Sequence, residues 1–229
     1  MESAPEAVAF DLDGTLYPNY RLNIRLIPFA LRELPLLLAF GRARNRLRSG
    51  KEPGARLLPG EDFYTAQARL VATILKAPDP RSLQDRIERL IYRGWEAHFT
   101  RIRLYPYVRE TLEHLRRAGL KLALLSDFPP EQKLRNLGLE GIWDLVLCSE
   151  VLGALKPDTR PFMELIRGLD LEPGRILYVG NSVSYDIRGA KAAGLRAALV
   201  SPFQKSQNRT AGADFCFHDY RKLAQYVLR

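Results

Sequence analysis

Two aspartates stand at the end of the first apolar run of the chain, in the stretch AVAFDLDGTL. Asp11 and Asp13 are two residues apart, so on an extended segment both side chains point to the same side. Two carboxylates that close repel each other, and the pKa of one rises unless a cation lies between them. Oxygen ligands suit a hard cation such as Mg²⁺, and Gly14 allows a tight turn directly afterwards. The stretch predicts a magnesium site, with a solvated acidic turn as the alternative for an isolated pair.

Further polar groups follow three later apolar runs. The stretch LALLSD ends in Ser126 and Asp127, ALKPD contains Lys156, and LYVGNSVSYD contains Asn181 and Asp186. Taken singly, each has an ordinary structural explanation, such as a turn, a solvated lysine or a polar loop. Together they bring acid, hydroxyl and amine groups to one edge of a predicted sheet, where the carboxyl ends of parallel strands meet.

Alternating strands and helices must position these groups. Most of the predicted strands are continuous apolar runs, which is typical of parallel strands covered on both faces. Helical patterns lie between them and end at glycines such as Gly119, Gly138 and Gly194. The sequence therefore predicts an α/β fold with a doubly wound, Rossmann-like parallel sheet. The predicted strands cover residues 8–12, 120–125, 144–148, 176–179, 197–200 and 214–217.

Residues 18–104 differ from the rest of the chain in the spacing of their apolar residues and in their charge. FYTAQARLVATIL and SLQDRIERLIYRGW repeat apolar residues at helical spacing, and Pro35 separates two earlier predicted helices. The segment carries 17 Lys/Arg against 8 Asp/Glu, a surplus of nine, whereas the remainder carries 18 of each. We predict an all-helical cap domain, residues 18–104, inserted into a neutral core domain made of residues 1–17 and 105–229.

The bulk composition of the 229-residue chain predicts a globular protein without a membrane span. Hydrophobic residues make up 46%, enough for a core, and 27% charged residues argue against both disorder and a membrane protein. The most apolar stretch, LIPFALRELPLLLAF, is interrupted by Arg32, Glu33 and Pro35. The N-terminal MESAPEAV lacks an apolar signal region, and Cys148 and Cys216 form no paired metal motif. These features predict a cytoplasmic protein with reduced thiols.

The four polar segments resemble, in order, the four motifs of the haloacid dehalogenase superfamily. DLDGT is similar to motif I, LLSD to motif II, LKPD to motif III and GNSVSYD to motif IV. The resemblance covers the core from Val8 to Val200, and the insertion after motif I resembles a helical cap of the C1 type. It implies a phosphatase, because members that cleave carbon–halogen bonds lack the aspartate found here at Asp13.

The resemblance implies a role for each motif residue. Asp11 is expected to be the nucleophile that forms an aspartyl-phosphate, and Asp13 the general acid and base. Ser126 and Lys156 complete the expected catalytic set, with Lys156 neutralising charge on the phosphoryl group. The expected phosphate-binding residues are Asp11, Leu12, Ser126, Asp127 and Lys156, and the expected Mg²⁺ ligands are Asp11, Asp13 through its backbone carbonyl, Asn181 and Asp186.

One position departs from the family pattern. Motif IV usually has an acid directly after its glycine, whereas Asn181 follows Gly180 here. An amide oxygen can bind Mg²⁺ but brings no negative charge, so we predict an active enzyme with weakened metal affinity. Asp186 is expected to bind the metal directly, to bind it through water, or to orient Lys156.

The expected activity is Mg²⁺-dependent hydrolysis of a small phosphorylated metabolite. Two alternatives stay open: a phosphotransferase or phosphomutase with the same covalent step, and a binding protein that keeps the fold with little catalysis. Neither the physiological substrate nor the oligomeric state follows from the sequence, and no recognised nucleic-acid motif accompanies the basic charge.

The basic and apolar parts of the cap segment each have two interpretations. Arg42, Arg44, Arg46 and Arg48 are expected to spread around a solvated helix, or else to attract an anionic substrate. The leucines of residues 26–40 are expected to pack inside the cap, with contact to a membrane surface as the alternative.

Overall fold

Six parallel strands form a single sheet in the computed structural model, which describes residues 4–50, 54–96, 99, 102–201 and 212–229. The strand order is β3-β2-β1-β4-β5-β6, which is that of a doubly wound fold. All six predicted strands are confirmed, with ends that shift by one or two residues. The strands are β1 Ala7–Phe10, β2 Lys121–Ser126, β3 Leu145–Cys148, β4 Ile176–Gly180, β5 Arg196–Val200 and β6 Phe215–Phe217.

Eleven α-helices accompany the sheet within these described residues. Six of them lie between β1 and residue 104, in the segment predicted to be helical: α1 Asn19–Arg25, α2 Ile27–Arg32, α3 Leu34–Ser49, α4 Phe63–Leu75, α5 Pro80–Ile87 and α6 Arg93–Glu96. A π-helical turn, Glu88–Tyr92, joins α5 to α6. The others are α7 Val108–Arg117, α8 Glu131–Leu137, α9 Thr159–Leu169, α10 Arg188–Ala192 and α11 Tyr220–Val227.

Local sequence signals explain where several helices begin. Asp62, Asp79, Asp158 and Asp219 each accept a hydrogen bond from a backbone N–H in the first turn of α4, α5, α9 and α11. Such caps satisfy donors that have no partner inside the helix. Pro35 lies in the first turn of α3, where its missing N–H costs nothing, so the predicted break between α2 and α3 is confirmed.

The alternation along β1 divides the core between the two faces of the sheet. Val8 and Phe10 join an apolar cluster with residues of α7, α8 and α11. Ala7 and Ala9 face the opposite side, where Phe162 of α9 and residues of α10 cover them. Because both faces of the sheet are buried, the strands are continuous apolar runs in the sequence. The predicted α/β fold is confirmed.

The helices after β1 have an apolar cluster of their own. It joins α3, α4, α5 and the turn after α5, and it includes Leu36, Phe40, Val71 and Ile87. Its separation from the two sheet clusters agrees with a distinct cap, while the exact boundary at residues 18 and 104 stays a prediction. Residues 18–104 are called the cap. None of the helices in the described ranges combines the length and the apolar character that crossing a membrane requires.

The expectation that the leucines of residues 26–40 pack inside the cap is partly wrong. Leu26 and Leu36 are buried, but Leu31, Leu34 and Leu38 are exposed. A helix buries only one stripe of its surface, and α3 turns the stripe containing Leu36 toward α4.

The solvated-face interpretation of the cap arginines is wrong for two of the four. Arg44 and Arg48 are one helical turn apart on α3, so they point in the same direction. Arg44 forms a buried ion pair with Glu150, which follows β3, and Arg48 forms a partly buried ion pair with Asp127, which follows β2. These two pairs attach the cap to the carboxyl edge of the sheet.

The Arg44 ion pair is embedded in a network of aromatic and amide groups. The Arg44 guanidinium lies 3.9 Å from the centre of the Phe128 ring and 3.3 Å from Gln67 Oε1. The Tyr92 hydroxyl donates to Glu150 Oε1 at 3.0 Å. Burial raises the pKa of the Glu150 carboxyl, against the opposing effect of Arg44.

Replacing Arg44 is expected to destabilise the protein, because Glu150 would stay buried without its cation. We expect Arg44→Met to lower the free energy of unfolding by about 3 kcal/mol in urea titrations. Arg42→Met, an exposed change on the same helix, serves as the control and should shift it by less than about 0.5 kcal/mol. Equal losses in both variants would contradict the role of the ion pair.

Candidate active site

The register of the sheet brings the motif residues to one edge. Phe10 pairs with Leu124 on one side and with Val179 on the other. The strands β1, β2 and β4 therefore end close to one level, with Ser126 as the last residue of β2 and with Asp11 and Asn181 directly after β1 and β4. Asp11 still belongs to the edge of the ladder, since its N–H donates to the Val179 carbonyl at 2.9 Å.

Lys156 is the centre of a buried network at this edge. Its Nζ lies 2.7 Å from Asp11 Oδ1 and 2.7 Å from Asp186 Oδ1, and it donates to the Tyr178 hydroxyl at 3.0 Å. Burial alone would lower the pKa of Lys156, but Asp11 and Asp186 raise it well above the usual value. The amine is therefore held as a cation between two carboxylates.

The Asp11 carboxylate is buried and carries a strongly shifted pKa. Burial raises this pKa to about 7; Lys156 opposes the rise, and the Asp186 and Asp13 carboxylates add to it. The Thr15 hydroxyl donates to Asp11 Oδ2 at 2.6 Å, so both oxygens of the carboxylate have a partner. A carboxylate that is desolvated but fixed in position is suited to nucleophilic attack.

Asp13 takes different partners from Asp11. Lys133 of α8 lies 2.6 Å from both Asp13 oxygens, and the buried Tyr17 hydroxyl donates to one of them. The strand ends at Phe10, before either aspartate, and Gly14 adopts a φ of 92° just afterwards. The expected repulsion of the pair is thus met by two lysines, one for each carboxylate.

Motif II supports the Lys156 segment through Asp127. Asp127 Oδ1 accepts the Lys156 backbone N–H at 3.1 Å, and its Oδ2 accepts from Arg48 at 2.7 Å. Arg48 also donates to the Lys156 carbonyl at 2.8 Å and lies over the Tyr185 ring. Burial acts to raise the pKa of Asp127, but Lys156, Arg44 and Arg48 lower it overall.

The remaining predicted phosphate-binding groups line the same loop edge. Ser126 is fully buried, and its Oγ accepts the Phe128 N–H at 3.2 Å. The Leu12 carbonyl accepts from the N–H groups of Thr15 and Leu16, at 3.3 and 3.1 Å, which curls the loop after β1. The contacts of these residues with a phosphoryl group stay predictions.

The oxygen donors nearest Asp11 fit a hard cation. Thr15 Oγ1 lies 2.6 Å from Asp11 Oδ2 and 3.4 Å from Asn181 Oδ1, so a carboxylate and an amide oxygen lie close together. Mg²⁺ commonly takes one or two carboxylates and completes its shell with waters and substrate phosphate. Among the described residues, no group of three or more His, Cys, Asp or Glu side chains is arranged to hold a metal.

Asp186 is placed to orient Lys156. Its Oδ1 contacts Lys156 Nζ, and its Oδ2 accepts the Ser182 N–H at 2.9 Å. A side chain on Gly180 would collide with Asp186, since an added Cβ would lie 2.3 Å from the Asp186 Cβ. Orientation of Lys156, one of the three roles expected for Asp186, has direct geometric support. Binding of Mg²⁺ by Asp186 stays a prediction.

Several residues of the site were missed by sequence reasoning. Lys133, Tyr178, Thr15 and Arg48 all contact predicted site residues. Lys133 had one available signal, because the first turn of α8 directly follows the loop at the carboxyl end of β2. Tyr17 is a further direct partner of Asp13.

Comparison with known proteins identifies the family. The profile of the haloacid dehalogenase-like hydrolases matches residues 5–194. The chain therefore belongs to this family of hydrolases, and the resemblance of its four motifs is confirmed.

Individual relatives indicate the type of hydrolase that the chain is similar to. Ribulose-1,5-bisphosphate 5-phosphatase from Halopiger xanaduensis is 31% identical, over 91% of this chain and 89% of that protein. Glyceraldehyde 3-phosphate phosphatase from Methanopyrus kandleri is 29% identical, over 83% and 81%. A solved 2-haloacid dehalogenase from Pseudomonas syringae pv. Tomato superposes with a TM-score of 0.66 at 26% identity, covering 98% of each chain. The phosphatase relatives support an enzyme of the phosphatase type.

Proposed function

We propose that the protein hydrolyses a small phosphate monoester with Mg²⁺ through an aspartyl-phosphate on Asp11. The observation that carries the proposal is the buried Asp11 carboxylate, fixed 2.7 Å from Lys156 Nζ at the carboxyl edge of the sheet. The presence of Asp13 supports phosphate hydrolysis over carbon–halogen cleavage, because the resemblance assigns that position to proton transfer to an alcohol.

In the first half of the proposed reaction, an Asp11 oxygen attacks phosphorus and the alcohol leaves. Lys156 neutralises charge shared by Asp11 and the phosphoryl oxygens, while Asp186 fixes the direction of its amine. Ser126, Asp127 and the backbone at Leu12 are proposed to hold the phosphoryl group beside Lys156. Positioning and charge neutralisation are what phosphoryl transfer chiefly requires.

In the second half, water displaces the phosphoryl group from Asp11. Asp13 is proposed to protonate the leaving alcohol first and to take a proton from the water afterwards. Lys133 contacts both oxygens of Asp13 and so fixes the position of this carboxyl group. The Tyr17 hydroxyl donates a further hydrogen bond to Asp13 Oδ1.

The proposed Mg²⁺ ligands are Asp11, the Asp13 backbone carbonyl and Asn181, with Asp186 acting through water or through Lys156. When bound, the cation would neutralise charge on the phosphoryl group and on Asp11. The cap is proposed to close over this site and to exclude bulk water. A cytoplasmic location is proposed from the two free cysteines, Cys148 and Cys216.

A phosphoenzyme assay tests the proposal. A substrate labelled in its phosphoryl group, quenched in acid within one turnover, should leave label on wild-type protein and none on Asp11→Asn. Adding candidate acceptor alcohols separates hydrolysis from group transfer, since a transferase would speed up and form a new ester. Absence of label and of turnover across a broad panel of phosphate esters would refute the proposal and favour a binding protein.

The asparagine of motif IV is expected to weaken Mg²⁺ binding, and restoring the acid should reverse this. We expect Asn181→Asp to lower the Mg²⁺ concentration for half-maximal activity by about tenfold, because one more carboxylate faces the cation. The change is nearly isosteric, so the close contact with Gly14 is kept. Activity measured against Mg²⁺ concentration tests this expectation. An unchanged Mg²⁺ concentration for half-maximal activity would contradict it.

A further inference from the structure

A cavity of about 500 Å³ lies between the cap and the loop that follows β2. Residues of α4, α5, the turn after α5 and α8 surround it. Lys133 lines the cavity and binds Asp13, so the cavity adjoins the proposed general acid. A volume of this size accommodates a small organic molecule. The alcohol part of a phosphate ester bound at Asp11 would lie in this cavity, next to Asp13.

Four aromatic side chains contribute to the walls of this cavity. Tyr64, Tyr92, Phe99 and Phe128 line it, together with Ile87 and Ile91. Three of these rings are contiguous, with centres 5.6 Å apart for Tyr64 and Tyr92 and 6.1 Å apart for Tyr92 and Phe128. Such a surface favours a flat apolar group, because aromatic faces pack well against rings.

The charges around the cavity disfavour a second anionic group. Among the described lining residues there are two cations, and both are paired: Lys133 with Asp13 and Arg93 with Glu88. Two acids, Asp85 and Glu88, also line the cavity, and its other polar groups include neutral amides such as Gln84. A carboxylate or second phosphate on the alcohol would have to compete with Asp13 and Glu88 for the two cations, and it would also meet the Asp85 carboxylate.

We infer that the alcohol portion of the substrate is uncharged and carries a flat apolar or aromatic group. This inference rests on the proposed function, since it takes the phosphoryl group to be bound at Asp11. It sets this chain apart from an enzyme whose substrate carries a second anion.

Matched phosphate esters test the inference directly. With Mg²⁺ present, we expect benzyl phosphate to be hydrolysed with a kcat/KM at least about tenfold higher than para-carboxybenzyl phosphate, the difference lying in KM. Asp85→Lys should raise the relative kcat/KM for the carboxylated ester by about fivefold, because a repulsive charge becomes attractive. The control is Glu113→Lys, which also replaces an acid by lysine, at an exposed position on α7. It should leave the kcat/KM for both esters unchanged.

Binding of non-hydrolysable analogues separates this inference from the proposed function. We expect benzylphosphonate to bind more tightly than para-carboxybenzylphosphonate in calorimetry, by a similar factor. Equal or tighter binding of the carboxylated analogue overturns the inference, even if Asp11-dependent hydrolysis holds. Hydrolysis that survives Asp11→Asn refutes the proposed mechanism, while the ratio of the two dissociation constants still decides the preference of the cavity.

Discussion

Asp11→Asn is expected to abolish phosphate ester hydrolysis, with a loss in kcat of at least about 10⁴-fold. The amide is not nucleophilic, and the two neighbouring carboxylates are held by other partners: Asp186 is paired with Lys156 and Ser182, and Asp13 with Lys133 and Tyr17. Steady-state hydrolysis of an aryl phosphate with saturating Mg²⁺ measures the loss.

The same substitution should leave the fold intact. Burial raises the pKa of Asp11 to about 7, so its ionised form is costly in the folded protein. The amide removes this cost, and Lys156 keeps Asp186 as a partner. We therefore expect a Tm that is unchanged or higher than that of the wild type, a common result at functional sites.

Asp170→Asn is the matched control for this experiment. Asp170 is exposed at the end of α9 with a φ of 52°, a conformation that asparagine tolerates. This variant should keep full activity. Activity of Asp11→Asn within tenfold of the control would show that Asp11 is not the nucleophile.

The predictable part of the site follows from strand ends. Apolar runs identify the strands, and parallel neighbours place their carboxyl ends at one edge. Asp11, Ser126 and Asn181 could be grouped from that rule alone, with the motif resemblance to supply their roles. The shift of the end of β1 from residue 12 to Phe10 did not disturb the grouping.

The unpredicted part depends on how helices pack across the sheet edge. Lys133 is 120 residues from Asp13, and Arg44 is 106 residues from Glu150. Charged residues on helices are usually solvated, so the sequence position of Arg44 carries no sign of a buried partner, and the only signal for Lys133 is that α8 follows the loop after β2. Arg44 and Arg48 reach the carboxylates of Glu150 and Asp127 because α3 lies above the loops after β2 and β3.

Lys156→Met is expected to damage both activity and stability. Methionine has a similar length but no charge, so Asp11 and Asp186 would face each other without the amine that now lies 2.7 Å from each. We expect kcat to fall by about a thousandfold, because charge on the phosphoryl group is no longer neutralised. In the absence of Mg²⁺, we expect the free energy of unfolding to fall by about 3 kcal/mol at pH 8.

The stability loss should depend on pH in a defined direction. The pKa of Asp11 is about 7 with Lys156 present, and removing the cation raises it further. A carboxyl with a raised pKa in the folded state stabilises the protein at low pH and loses that contribution as the pH rises through the pKa. Lys156→Met should therefore be closer to the wild type at pH 6 than at pH 8, in urea unfolding without Mg²⁺.

A second change separates the two effects of Lys156. Lys156→Met combined with Asp186→Asn removes one of the two facing carboxylates, so stability at pH 8 should recover in part. Tyr178 keeps the Leu125 carbonyl as a hydrogen-bond partner at 3.2 Å in either variant. Activity should stay as low as in the single variant, because neither change restores a cation beside Asp11. A double variant that regains activity without regaining stability would show that Lys156 acts through Asp186 rather than on the phosphoryl group.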